Sequence, residues 1–199
     1  METSQIIFCS KLLSVIEDYI IPLTKIGVKK GNKIFGAAIL KKTDLSIVVA
    51  DTNSEIQNPL FHGEISTINS FFKLPKEERP KPEDCVFIST HEPCSLCLSA
   101  ITWANFDNFY YYFGYQDTKD TFHIPHDLNI LKEVFKIDNG QYARKNKFWE
   151  SKSVVNMVNE LSDDSILDLR EQINRINKKY TKLSEIYQKQ KGLSGIPLS

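Results

Sequence analysis

Two short stretches hold residue types that do chemistry. His62-Gly63-Glu64 sets an imidazole two residues before a carboxylate, and Pro93-Cys94-Ser95-Leu96-Cys97 sets two thiols three residues apart. On the first turn of a helix, Cys94 and Cys97 face the same way. The positive end of the helix dipole favours thiolates there, and thiolates are the form that binds zinc. Taken alone, Cys-x-x-Cys also fits a redox pair or half of a four-cysteine structural zinc site. The redox reading is the weaker, because proline stands before the first cysteine and not between the two. A four-cysteine site would need Cys9 and Cys85, which are not a second close pair and read more simply as core residues. A catalytic zinc wants three protein ligands and one open position for water. His62, Cys94 and Cys97 would supply the three, and Glu64 would reach the metal's water and shuttle its proton.

His-x-Glu followed by Pro-Cys-x-x-Cys is the signature of zinc deaminases. On these residues, and over about residues 30–137, the chain resembles the cytidine and deoxycytidylate deaminase superfamily. "HGEIST" (62–67) looks like the fungal cytosine deaminases, and "EPCSLCLSAI" (92–101) looks like the guanine and tRNA adenosine deaminases. The resemblance implies Zn²⁺ at His62, Cys94 and Cys97, and water attacking the ring carbon that bears the exocyclic amine. It implies that Glu64 moves protons to the ring nitrogen and to the leaving ammonia. Backbone around Pro93 and Cys94 would hold the base or the attacking oxygen. An asparagine before the histidine holds the base in this family, and Asn53 is the best match, with Asn58 as the alternative. Phe61, His91, Glu92 and Tyr115 are candidate pocket walls, while Trp103 and Phe113 read as ordinary core aromatics. The segment 114–127 holds Asp117, Asp120, His123, His126 and Asp127. An acid there, Asp117, would hold an exocyclic amine; the rest read as solvated loop and cap residues.

These motifs need elements to position them. Apolar spacing from Ile6 to Ile20 predicts an amphipathic helix over roughly 3–20, ended by Pro22. Residues 33–40 and 45–50 read as strands of a hairpin, and a helix follows from near Gly63 to about Phe72. "CVFIS" (85–89) is apolar throughout, as in a strand buried on both faces. A helix from Cys94, an aromatic strand over 108–113 and a helix over 124–135 complete the set. The order predicts a three-layer α/β/α sandwich on a mixed central sheet whose later strands are parallel. We expect a deaminase domain over 1–150 and a helical extension over 151–199. In the extension, Ile166, Leu169, Ile173, Ile176, Tyr180, Leu183 and Tyr187 form an apolar seam. Ser165 and Asp168 resemble a capping box, and Gly192 would close the helix. The seam suits packing on its own domain, or on a second copy in a homodimer.

With 25 basic and 25 acidic residues the net charge is zero, and 41% of residues are hydrophobic. Wholesale disorder is thereby excluded, and a strong nucleic-acid footprint is absent from the total. The basic runs Lys25–Lys42 and Arg170–Lys191 read as solvated faces. No apolar run spans a bilayer, and no basic start with a cleavage site marks a signal peptide, so the expected location is cytoplasmic. The expected function is hydrolytic deamination of a small nucleobase or nucleoside. A tRNA adenosine deaminase and a non-enzymatic, zinc-stabilised binding module are the alternatives.

Overall fold

Every residue of Cys85–His91 is buried, so this strand must lie inside the sheet. The computed structural model, which describes residues 2–162 and 166–198, puts it at the centre. The strands are β1 (Gly36–Lys41), β2 (Ile47–Thr52), β3 (Cys85–His91), β4 (Asn108–Phe113) and β5 (Glu150–Ser153), in the order β2-β1-β3-β4-β5. β1 pairs antiparallel with both β2 and β3, while β3, β4 and β5 run parallel. The sheet is mixed, as expected.

Alternation along the strands builds two cores. Ala37, Ile39, Phe87 and Phe109 face a layer made by α3 (Gly63–Lys73) and α4 (Ser95–Trp103), with Phe71 and Ile101 buried against them. Ala38, Leu40, Val86, Ile88 and Tyr112 face the opposite layer. That layer contains α1 (Glu2–Val15) and α2 (Ile21–Lys29). Two shorter helices, α5 (Tyr115–Asp120) and α6 (His126–Phe135), follow β4. The chain ends with α7 (Val154–Asn159) and α8 (Leu167–Gln190), both packed into the α1–α2 layer. The period-2 pattern of the strands therefore serves both faces at once, the sandwich architecture predicted above.

Several expectations change in detail. Pro22 does not end the first helix. A π turn over Ile16–Ile20 joins α1 to α2, and Pro22 sits in the first turn of α2 directly after it. β5 was not foreseen, because Glu-Ser-Lys-Ser carries no apolar pattern. Trp103 is not a core residue: at the end of α4 it is 90% exposed, whereas Phe113 is buried. The seam of α8 is covered within the chain, with Leu169, Ile176, Tyr180, Leu183 and Tyr187 buried in the α1–α2 layer. Ser165, half of the expected capping box, lies outside the described residues. Among the described residues, no helix is long and apolar enough to cross a membrane.

One ion cluster ties α8 to the N-terminal layer. Glu17 Oε1 accepts from Arg175 Nε at 3.1 Å and from Lys179 Nζ at 2.8 Å. Burial works to raise the Glu17 carboxyl, but the hydrogen bonds from Arg175, Lys179 and Gln172 prevail and hold it at about 2. The folded value lies below the ordinary 4.5, so the stabilisation is complete above that pH and fades as pH falls towards 2. Arg175 and Lys179 are half exposed, which screens the gain to about 1–2 kcal/mol. Glu17→Gln should destabilise by that amount near neutrality in urea unfolding, and the gap to the parent protein should narrow on acidification. A gap that stays constant with pH would refute the ionic account.

Candidate metal centre

Both motifs lie at helix starts. His62 is the N-cap of α3, and Cys94 is the N-cap of α4 with Cys97 one turn in. Cys94 thus stands just outside the helix and not in its first turn, with extended backbone angles (φ −65°, ψ 171°). Gly63 permits the approach of α3 to the sheet: a Cβ there would lie 2.6 Å from the Cα of Gly36 on β1. Any side chain would push His62 and Glu64 away from the sheet edge, so glycine here has a packing cause.

The three ligand candidates meet. Cys94 Sγ lies 3.5 Å from His62 Nδ1 and 3.6 Å from Cys97 Sγ, and Cys97 Sγ lies 3.7 Å from His62 Nδ1. Tetrahedral zinc, with bonds of about 2.3 Å to sulfur and about 2.0–2.1 Å to nitrogen, needs donors about 3.6–3.8 Å apart. The triangle therefore fits zinc in both donor chemistry and size. No other group of three or more such ligand residues among those described forms a comparable cluster. Cys9 and Cys85 are buried elsewhere as free thiols, and burial raises each to about 11.

Charge in the cluster is shared. The hydrogen bond from Cys97, opposed by burial and helped by His62, holds the Cys94 thiol far below its ordinary value. Burial and the Cys94 thiolate push Cys97 the other way. For His62, burial disfavours the charge, but the hydrogen bond and charge of Cys94 outweigh it and raise the imidazole to about 9. Glu64 is 4% exposed. Its Oε1 accepts from Ser89 at 2.8 Å, and its Oε2 accepts from Cys97 at 3.3 Å. Burial, then the neighbouring Cys94 thiolate, raises its carboxyl, the state of a group that can both hold and release a proton.

Around this cluster the other expected residues divide. Asn53 is buried; its Nδ2 donates to Glu55 at 2.8 Å, and its Oδ1 accepts from the Gly63 N–H that opens α3. Asn58 instead caps a turn through Leu60 N. His91 lines a small chamber beside His62, Glu64 and Cys94. Its ring is caged by Phe35, Phe113, Phe122 and Tyr180, and burial keeps it neutral. Phe61 is half-buried and contributes its carbonyl to Ser54 N; Leu60 lines the neighbouring chamber, and Phe61 does not. Asp117 accepts from Gly114 N at the start of α5 and borders a separate cavity of about 530 Å³. The acid beside the metal cluster is Asp127, at the start of α6, which lines both chambers and is not a solvated cap. Burial, then the Cys94 charge, raises its carboxyl well above the usual range.

Three features had no sequence signal. Glu92 Oε1 accepts from Tyr142 at 2.8 Å and from Arg144 at 2.7 Å, and Tyr115 donates to the Pro93 carbonyl. Together these bonds pin the loop that presents Cys94. Glu55 receives Lys33 Nζ at 2.7 Å in a buried ion pair, 4.0 Å from His62 Nε2. Finally, a chamber of about 350 Å³ opens beside His62 and Cys94, walled by apolar residues such as Phe35, Leu96, Ile124 and Leu198. Three larger cavities, about 610, 530 and 410 Å³, contain none of the three ligand candidates.

Comparison with known proteins agrees with this geometry. Residues 19–113 match the family model described as the cytidine and deoxycytidylate deaminase zinc-binding region. No curated protein matches the chain. A guanine deaminase from Nitrosomonas europaea is 16% identical at a TM-score of 0.50, covering 82% of this chain and 81% of that one. A solved mutant protein in complex with 8-azaguanine is 16% identical at a TM-score of 0.51, covering 82% and 81%. A guanine deaminase from Bacillus subtilis is 23% identical at a TM-score of 0.49, covering 78% and 89%. At 16% identity, the likenesses with TM-scores of 0.50 and 0.51 establish the fold alone. The family match rests on sequence over residues 19–113 and includes His62, Glu64, Cys94 and Cys97, so these residues carry the likeness to the zinc-binding region of the cytidine and deoxycytidylate deaminases.

Proposed function

We propose that the protein is a zinc-dependent hydrolytic deaminase of a free nucleobase or nucleoside. The observation that carries this reading is the zinc-sized donor triangle with the buried Glu64 carboxyl against it. His62, Cys94 and Cys97 would hold zinc, which supplies a water activated at neutral pH. Glu64 takes one proton from that water and delivers it to the ring nitrogen, then takes the second from the hydroxyl now on the ring carbon and delivers it to the departing amine. Ser89 orients the carboxyl by donating to Oε1. The balance is water in and ammonia out, with oxygen replacing nitrogen on the ring carbon. Asn53 and Glu55 fix the entry to α3, and Glu92 with Tyr115 fixes the loop before Cys94. Asp127, and not Asp117, is placed to meet an exocyclic amine; His91 backs the deep end of the site.

A small substrate is supported by the chamber of about 350 Å³, within the range of small-molecule sites. Pro197 and Leu198 form part of its wall, which favours an enclosed ligand over a polynucleotide. The neutral net charge argues the same way. As part of this reading, residues 1–150 form the catalytic unit and 151–199 an extension that covers it. Four free thiols suit a cytoplasmic location. A homodimer would cover the exposed Trp103, and a sedimentation mass of one chain would remove that part.

The test is ammonia release from zinc-loaded protein given cytosine, guanine, cytidine and adenosine, set against tRNA. Release from at least one small substrate is expected. Release from tRNA alone would replace this reading with the tRNA adenosine deaminase, and release from none would favour a zinc-stabilised binding module.

A further inference from the structure

Resting on the deaminase reading, we propose that Lys33 determines specificity. Its ammonium, fixed by Glu55 in the wall of the substrate chamber, donates to the ring oxo group of a 2-oxopyrimidine or 6-oxopurine base.

Lys33 lies in the basic run expected to be solvated, yet it is only 6% exposed. Glu55 is buried too, and the pair is doubly joined. Lys33 Nζ donates to Glu55 Oε1 at 2.7 Å, and Lys33 N donates to Oε2 at 3.1 Å. Asn53 holds Oε2 from the other side. Glu55 is therefore well supplied with donors, but Lys33 is not supplied with acceptors. An ammonium carries three N–H donors. Among the described residues, Glu55 Oε1 is the acceptor that bonds it. A buried cation with unused donors is costly unless something else pairs with them. Lys33 lines the chamber together with His62 and Cys94, so a ligand bound there for reaction is the available partner. His126 Nε2, on the same chamber, is a buried polar atom without a partner among the described residues. The wall is thus set to receive polar edges of a ring at two points.

The chemistry favours a neutral oxygen over an anion. Glu55 and Asp127 share the chamber with Lys33, and a phosphate would meet both carboxyl groups. A ring carbonyl gains the charged donor without that repulsion. Cytosine and guanine carry such an oxygen, and adenine does not. The inference therefore divides the substrate classes: oxo bases fit this wall, and adenine leaves the remaining donors of the ammonium unused.

A hydrogen bond from a charged donor corresponds to about 10- to 100-fold in affinity. The experiment is calorimetric binding to the zinc-loaded full chain of two matched pairs. Cytosine is set against 4-aminopyrimidine, and guanine against 2-aminopurine, each second ligand lacking the oxo group and the ring N–H beside it. The parent protein should prefer the oxo member of at least one pair by about 10- to 100-fold. Lys33→Met should abolish that preference while leaving the affinity for the oxo-free member unchanged. Should Lys33→Met fold poorly because it strands Glu55, the double variant Lys33→Met/Glu55→Gln removes both charges at similar volume and reads the same ratio. Equal affinities in the parent protein, no binding of either pair, or a preference that survives the substitution would each overturn the inference. Ammonia release is measured separately. A preference without ammonia would sink the deaminase reading alone, and ammonia without a preference would sink this one alone.

Discussion

Glu64→Gln is expected to keep the fold and the zinc and to lower kcat by at least about 10²-fold, the usual scale for a positioned acid–base group. Glutamine matches glutamate in shape and can still receive the Ser89 hydroxyl that now bonds Oε1. What it lacks is a carboxyl that gains and loses a proton. The site invests in that property. Glu64 is buried at the first turn of α3, and burial with the Cys94 thiolate raises its carboxyl towards the pH at which it works. The ligand atoms belong to other residues, so elemental analysis should find the same zinc per chain in the variant. The loss should fall on kcat more than on KM, because the proton moves in the transition state and not on binding. Glu64→Ala should lose at least as much. A fully active Glu64→Gln would refute the mechanism, and a zinc-free one would move Glu64 into the ligand set.

The parts of this site that could be read from sequence are those written locally. His62 with Glu64, and Cys94 with Cys97, each sit within one turn of chain, and for the two cysteines the spacing of three implies a shared face. β3 was equally legible, because a strand covered on both faces leaves an unbroken apolar run. The seam of α8 gave its helix, and its burial against α1 and α2 chose packing within the chain over pairing with a second copy. What failed to show was written across distance. β5 is polar and exists because the edge of β4 offers it parallel hydrogen bonds. Lys33 looked like a surface charge because nothing local tells a lysine that a glutamate twenty-two residues later will be buried with it. The separate positions of Asp117 and Asp127 have the same origin. Both acids follow β4, and the turn of α5 decides between them: it spends Asp117 on capping Gly114 and carries Asp127 round to the metal cluster.

Cys97→Ser is expected to lower the zinc content of the purified protein to well below that of the parent. Cys97 is 1% exposed, one turn into α4, and its Sγ stands 3.6 and 3.7 Å from the other two donor atoms. Serine preserves the helix and nearly the volume, but a hydroxyl stays protonated where a thiol can yield a thiolate, and its oxygen is held closer to the backbone. The remaining donors, His62 and Cys94, make two ligands, one short of a catalytic set. Two controls separate ligand loss from general damage. Cys9→Ser and Cys85→Ser disturb buried thiols of the same type, but in the two cores rather than in the cluster, and should keep zinc while losing some stability. Heating should tell the same story in another currency. Zinc stabilises only the state that binds it, so added chelator should lower the Tm of the parent and of the two control variants, and should leave Cys97→Ser almost unmoved. Unchanged zinc in Cys97→Ser would remove Cys97 from the ligand set. Zinc lost in all three variants would mean that the metal depends on the packing of the whole sandwich and not on the triangle of His62, Cys94 and Cys97.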